Sequence, residues 1–122
     1  MREPTTSKTA VISGIGAWTP EKVLTNDDLS KIVDTNDEWI STRTGIRERR
    51  IAAPGETCSE MAAKAAKAAL QSAGAAPDEI DLLVAATITA DHSTPSTACL
   101  VQPRLGLINA TCFDISAACA GF

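Results

Sequence analysis

The sequence has no tyrosine, and Trp18, Trp39, Phe113 and Phe122 are its only aromatic residues. Its apolar fraction of 44% therefore rests on Ala, Ile, Leu and Val, a composition suited to helices packed closely on a sheet. Histidine is nearly absent. His92 alone cannot complete a Cys/His zinc cluster with cysteines at 58, 99, 112 and 119, whose spacings form no close metal pair. Cysteine is also too sparse for a small disulfide scaffold, so free thiols in a reducing cytosol are expected. No apolar run reaches transmembrane length, and Met1 to Lys8 lacks the hydrophobic centre of a signal peptide. These features predict a cytoplasmic protein with no membrane partner. The formal net charge of −4 argues against non-specific nucleic-acid binding, which needs a basic footprint.

What is present is an α/β pattern. Residues 9–18 read as an early strand entering a turn at Gly14-Ile15-Gly16, where glycine permits close backbone approach. The further glycine of a dinucleotide fingerprint is missing. Thr25 caps a short helix to about Val33, with acids in its first turn. Thr35 to Glu38 forms a capping-box pattern for a second helix, ended by Gly45. Ile46 to Ala52 reads as an edge strand interrupted by charge. Thr57 to Glu60 is another capping box, opening a helix to Ala73 with Gly74 as its stop.

Leu82 to Ile88 is a continuous apolar run, as in a strand covered on both faces. Thr94-Pro95 resembles a cap followed by proline at the first helical position, opening a helix towards Leu105 that Pro103 should kink or shorten. Asn109 to Ile115 reads as a further core strand. Strand, helix, strand, helix, strand is the rhythm of a layered α/β domain with parallel strands. Residues 1–8 are expected to be a flexible N-terminus. Residues 9–122 would be one truncated domain, because the chain stops on apolar Ala117 to Phe122 without a polar tail.

Cys119 stands where the last strand should turn into a helix. Backbone N–H groups and the positive end of the peptide dipoles there would lower the thiol pKa and favour thiolate. The neighbouring alanines and glycine leave room for a carbonyl. The competing reading is an inert packed thiol. Trp39 is equally a core anchor or a stacking platform. Arg43, four residues on, shares its helix face and is equally a surface ion pair. Arg43, Arg47, Arg49 and Arg50 lie within eight residues, opposed there only by Glu48. They form either a solvated surface or a local anion site.

Several strings resemble one family. Gly14-Ile15-Gly16 is followed by Thr19-Pro20, Thr25-Asn26-Asp27-Asp28-Leu29 and Asp37-Glu38-Trp39-Ile40. Then come Thr42-Arg43-Thr44-Gly45-Ile46-Arg47-Glu48-Arg49 and Asp114 through Phe122. Together they resemble the first third of the β-ketoacyl-[acyl-carrier-protein] synthase III family, within the thiolase-like superfamily. The resemblance runs from about residue 9 to 122. It implies the N-terminal part of a layered α/β/α fold with a mixed, mainly parallel sheet, cut just after the nucleophile.

By matched motif, Cys119 is similar to the acyl-accepting nucleophile. Trp39 and Arg43 match residues on the two sides of a coenzyme A adenine, and Thr35 resembles a residue near that nucleotide. Thr94 stands where the family often has a bulky aromatic lining the partner's primer pocket, so a longer primer is expected to fit. His92, Cys58, Cys99 and Cys112 match no catalytic position. The histidine and asparagine that assist the cysteine in this family lie downstream of these residues.

The implied reaction is decarboxylative condensation of an acyl-coenzyme A primer with malonyl-[acyl-carrier-protein], starting fatty-acid synthesis in a homodimer. It calls for no metal or redox cofactor, since a thioester is already activated and coenzyme A serves as substrate carrier. A priming ketosynthase or acyltransferase of polyketide or specialised lipid biosynthesis would use the same cysteine. A non-catalytic fragment contributing only a dimer surface is a third reading. These residues alone are not expected to catalyse the full condensation.

Overall fold

A computed structural model describes residues 9–121, so the expected flexible N-terminus at 1–8 and Phe122 lie outside the described residues. In chain order the elements are β1 (Lys22–Thr25), α1 (Asn26–Ser30), α2 (Asp37–Thr44), β2 (Glu48–Ile51), α3 (Cys58–Ala73), β3 (Leu82–Ala86), α4 (Thr97–Leu105) and β4 (Thr111–Ile115). Single 3₁₀ turns cover Pro77–Glu79 and Ala118–Gly121.

β1 and β2 form an antiparallel ribbon, with Val23 opposite Arg50 and Thr25 opposite Glu48. β3 and β4 are parallel, with Leu83 opposite Cys112 and Ala85 opposite Asp114. The crossover between them is α4, making a βαβ unit. β1 has no counterpart in the sequence reading, because Lys22 and Glu21 mask its short apolar pair, Val23 and Leu24.

Helix starts follow local hydrogen bonding. Thr25 and Asp28 form a capping box on α1, and Thr57 and Glu60 form one on α3. α3 ends at Gly74 in the left-handed region (φ 64°), where a Cβ would be strained. Two expected caps move. Asn36, not Thr35, caps α2, its Oδ1 accepting from the Trp39 N–H at 2.8 Å. Ser96, not Thr94, caps α4, its Oγ accepting from the Cys99 N–H at 3.3 Å. Adjacent capping residues compete, and the one whose oxygen reaches the third helical N–H wins. Pro103 sits in the last turn of α4 and does not stop it before Leu105.

Residues 9–18 form no strand. Among the described residues no strand pairs with the segment, and it lies against α3 instead. A Cβ on Gly16 would fall 2.2 Å from the Ala69 nitrogen and 2.3 Å from the Ala65 carbonyl oxygen. A Cβ on Gly14 would fall 2.6 Å from the Ala69 carbonyl oxygen. The glycines serve close approach, as their sequence context suggests.

The core lies between α3, α4 and one face of β3–β4, around Ala63, Ala98, Val101, Leu107 and Ala110. β3 is not covered on both faces as its composition suggests. Leu83, Ala85, Cys112 and Asp114 turn towards the helices, while Leu82, Val84, Phe113 and Ile115 are exposed on the other side. The apolar run thus leaves one sheet face open among the described residues.

Candidate active site and nucleotide platform

Cys119 stands at the C-terminal end of β4. The β3–β4 ladder carries on past Ala86, the Thr87 N–H donating to the Ile115 carbonyl at 3.1 Å. The chain then turns through Ser116 and Ala117 into the 3₁₀ turn, closed by the Ala120 N–H donating to the Ala117 carbonyl at 3.0 Å. Ala118 has φ 46°, the one positive φ of a non-glycine residue among those described. An L-residue there costs about 1 kcal/mol or more and persists only where its surroundings fix it. The next residue is Cys119, whose side chain is exposed. The expected helix start is thus a 3₁₀ turn, and the thiol is open to solvent.

The other thiols differ. Burial pushes the Cys112 thiol up, and it donates to the Ala110 carbonyl at 3.6 Å. Cys58 is half-buried with its Sγ 3.7 Å from Thr87 Oγ1, and Cys99 is exposed on α4.

Asp114, five residues before Cys119, is a feature the sequence reading did not single out. Its Oδ2 accepts from the Thr97 N–H at 2.7 Å and its Oδ1 from the Ala98 N–H at 2.8 Å. Burial works to raise this carboxyl, but the N–H donors of Ala98 and Thr97 outweigh it and hold it below the usual carboxylate range. The signal was an acid inside an apolar strand, which needs dedicated partners. Asp91 repeats the device on α3, accepting from the Cys58 N–H at 2.7 Å and the Ser59 N–H at 3.2 Å.

The second group of expected site residues is on and before α2. Asn36 caps the helix, which places Trp39 in its first turn, and the indole is 52% exposed. Arg43 follows one turn later with its guanidinium over that ring, 4.6 Å from the centroid. Trp39, Thr35 and Asn36 border an open depression of about 550 Å³ together with Leu29, Val33, Asp34 and Ile40. Trp39 is therefore exposed and does not anchor the core. Arg43 is in direct contact with the indole, so a base can lie between the two only after the guanidinium moves aside.

Of the remaining arginines, two serve the fold. Arg49 donates to Asn26 Oδ1 at 2.8 Å and to the Leu24 carbonyl at 3.3 Å. Arg50 pairs with Glu48 at 3.6 Å and donates to the Glu21 carbonyl at 3.3 Å. Arg47 and Arg43 stay at the surface.

Thr94 and His92 are exposed in the loop before α4. The loop places Thr94 two residues ahead of the Ser96 cap, joined to Pro95 by a cis peptide. Among the described residues no group of three or more His, Cys, Asp or Glu could hold a metal ion. No helix among them is long and apolar enough to cross a membrane.

The chain is 61% identical over 110 residues to a β-ketoacyl-[acyl-carrier-protein] synthase III of Clostridium kluyveri, covering 90% of this chain and 34% of the relative. Its fold matches the crystal structure of 3-oxoacyl-[acyl-carrier-protein] synthase III from Aquifex aeolicus with a TM-score of 0.86 at 58% identity, over 91% of this chain and 36% of that one. Sequence and fold alike identify the chain with β-ketoacyl-[acyl-carrier-protein] synthase III proteins over the third of their length that it spans. Its fold is thiolase-like, the βαβ unit and packed helices being part of that layered α/β architecture. A priming β-ketosynthase from the R1128 polyketide biosynthetic pathway has the same fold, with a TM-score of 0.87 and 45% identity over 91% of this chain and 33% of that one. No protein-family model matches the chain. It spans about a third of the length of the curated relatives it matches.

Proposed function

We propose that this chain is the N-terminal part of a first thiolase-like domain, in an enzyme that condenses an acyl-coenzyme A primer with malonyl-[acyl-carrier-protein]. The observation that carries this reading is the exposed Cys119 on a turn pinned at the end of β4, in a chain of this family. The Cys119 thiolate attacks the primer's thioester carbonyl, and the carbon–sulfur bond to coenzyme A breaks as its thiolate leaves. The malonyl group then loses carbon dioxide, and the electron pair left on its α-carbon attacks the acyl-enzyme carbonyl. Cys119 departs as thiolate, and a 3-ketoacyl thioester two carbons longer remains on the carrier protein.

In this reading the Cys119 N–H helps to hold the oxyanion of each tetrahedral intermediate. Trp39 receives the adenine, Thr35 lies beside it, and Arg43 leaves the indole to meet the nucleotide from its other side or at a phosphate. Thr94, exposed before α4, would border the primer pocket of a partner protomer and leave room for primers longer than acetyl. The working enzyme would be a cytoplasmic homodimer served by acyl carrier protein. The 45% identity to a priming polyketide ketosynthase supports a second reading, in which the same cysteine starts a polyketide chain.

The test is intact-mass analysis of protein at the full length of the relatives, given acetyl-, branched or long-chain acyl-coenzyme A. Wild type should gain one acyl mass, and Cys119→Ala none. An unchanged adduct in the variant would reject the assignment. The primers accepted separate the two pathways.

A further inference from the structure

The Cys119 turn contains a strained residue, and something must hold it. Ala118 has φ 46° with a Cβ, so relaxation to a right-handed or extended backbone would be downhill unless the chain leading into it is fixed. One constraint on that chain is the β3–β4 ladder, extended by the Thr87 to Ile115 bond. The other is the carboxylate of Asp114, within β4 itself, whose two oxygens each take one N–H from the first turn of α4. Charge-assisted bonds of this length are about twice as strong as neutral ones. The helix that they hold is capped by Ser96, and the chain leading into it carries Thr94. One carboxylate therefore spans the strand that delivers Cys119 and the helix whose approach delivers the expected pocket residue.

We infer that Asp114 is a positioning residue for Cys119, fixing the nucleophile turn relative to the first turn of α4. The inference rests on Cys119 being the acylated residue. Asp91 is a natural control, because it caps α3 through the same pair of N–H groups without lying on the strand that leads to Cys119.

The experiment compares Asp114→Asn, Asp91→Asn and Thr97→Pro in the full-length protein. It records the rate of Cys119 acylation at saturating acyl-coenzyme A, normalised to the folded fraction, together with apparent affinity and Tm. Asparagine keeps the shape but turns an NH2 towards one of the two N–H donors. Thr97→Pro leaves Asp114 intact and deletes one donor at the first helical position, where proline is tolerated. It keeps the question answerable if Asp114→Asn fails to fold.

A displacement of this kind near a reacting atom can cost up to about 100-fold in rate. Asp114→Asn should slow acylation about tenfold or more per folded molecule, with affinity changed less than about threefold, and Thr97→Pro should slow it in the same sense. Asp91→Asn should lower Tm comparably and leave the normalised rate within about twofold. Wild-type rates in Asp114→Asn and Thr97→Pro, or equal slowing by Asp91→Asn, would overturn the positioning role while leaving Cys119 as nucleophile. No adduct on wild-type Cys119 would overturn both.

Discussion

Where the β1–β2 ribbon meets α1 and α2 sits a buried amide, Asn26, whereas the centre of the β3–α4–β4 unit is Ala98, Val101 and Leu107. Asn26 is 1% exposed and fully engaged: its Nδ2 donates to Asp37 Oδ1 and the Ile46 carbonyl, and its Oδ1 accepts from Arg49. Its own N–H donates to the Arg47 carbonyl at 3.2 Å. The ribbon with α1 and α2 has little apolar area to bury, so directional bonds set its geometry and the indole of Trp39 is left facing outward. The other region is held by close contact of small residues, the backbone of Gly14 and Gly16 lying against the alanines of α3. One region is organised by bonds that must all be made, the other by volumes that must not be exceeded.

If that contrast is right, adding volume should damage only the second region. Gly16→Val would drive a Cβ into the α3 backbone, which cannot move aside as a flexible side chain could. The expected loss is about 3 kcal/mol or more, above the usual range for overpacking. Denaturant unfolding of the full-length protein measures it. A loss under about 1 kcal/mol would mean that the segment does not lie against α3 as described.

Removing polar partners should damage the first region. Asn26→Ala strands the Ile46 carbonyl and leaves Asp37 and Arg49 without their shared partner, at a cost of roughly 2–3 kcal/mol. The amide hydrogen exchange of β2 and α2 should speed up, while that of α4 and β4 stays protected. Uniform loss of protection would show that the two regions unfold as one and would dissolve the distinction.

The same contrast explains what could be read from the residues. α3 was legible to its ends, because Thr57, Glu60 and Gly74 are cap residues acting within one turn of chain. β3, β4 and the crossover helix were legible because apolar runs between turn signals have few other uses. The caps of α2 and α4 moved to Asn36 and Ser96, since several candidates stand side by side and only three-dimensional reach decides. Residues 9–18 have the composition of a strand, but strand formation needs a partner edge, which composition does not reveal.

The site divides in the same way. Cys119, Trp39, Arg43 and Thr35 stood out through family motifs, their bare chemistry being compatible with packing or surface roles. Asp114 went unnoticed because its partners, Thr97 and Ala98, lie 17 and 16 residues away and offer only backbone N–H groups. No residue pattern advertises a backbone donor.

The smallest expected effect concerns acid. Asp28, on the exposed ribbon side, is lowered to about 2 by its hydrogen bond to Lys31 and then by Thr25, with the Lys31 charge adding to both. Asp114 and Asp91 are also held below the usual range, but there N–H donors overcome a burial that works the other way. All three have folded pKa values below the unfolded value of about 3.9, so each contributes stability that is present above that pH and lost as pH falls through the folded pKa. The exposed pair should contribute little despite its shift, since water and salt screen it. Lowering pH from about 5 towards 2 should therefore reduce Tm less steeply in Asp91→Asn than in wild type, because that variant has already lost the titrating cap. Asp28→Asn should follow the wild-type slope closely, and any difference should fade in high salt. If Asp28→Asn instead flattened the slope more than Asp91→Asn, exposed ionic bonds would be holding this fold against acid, and the division between a bonded ribbon and a packed core would have to be redrawn around Lys31.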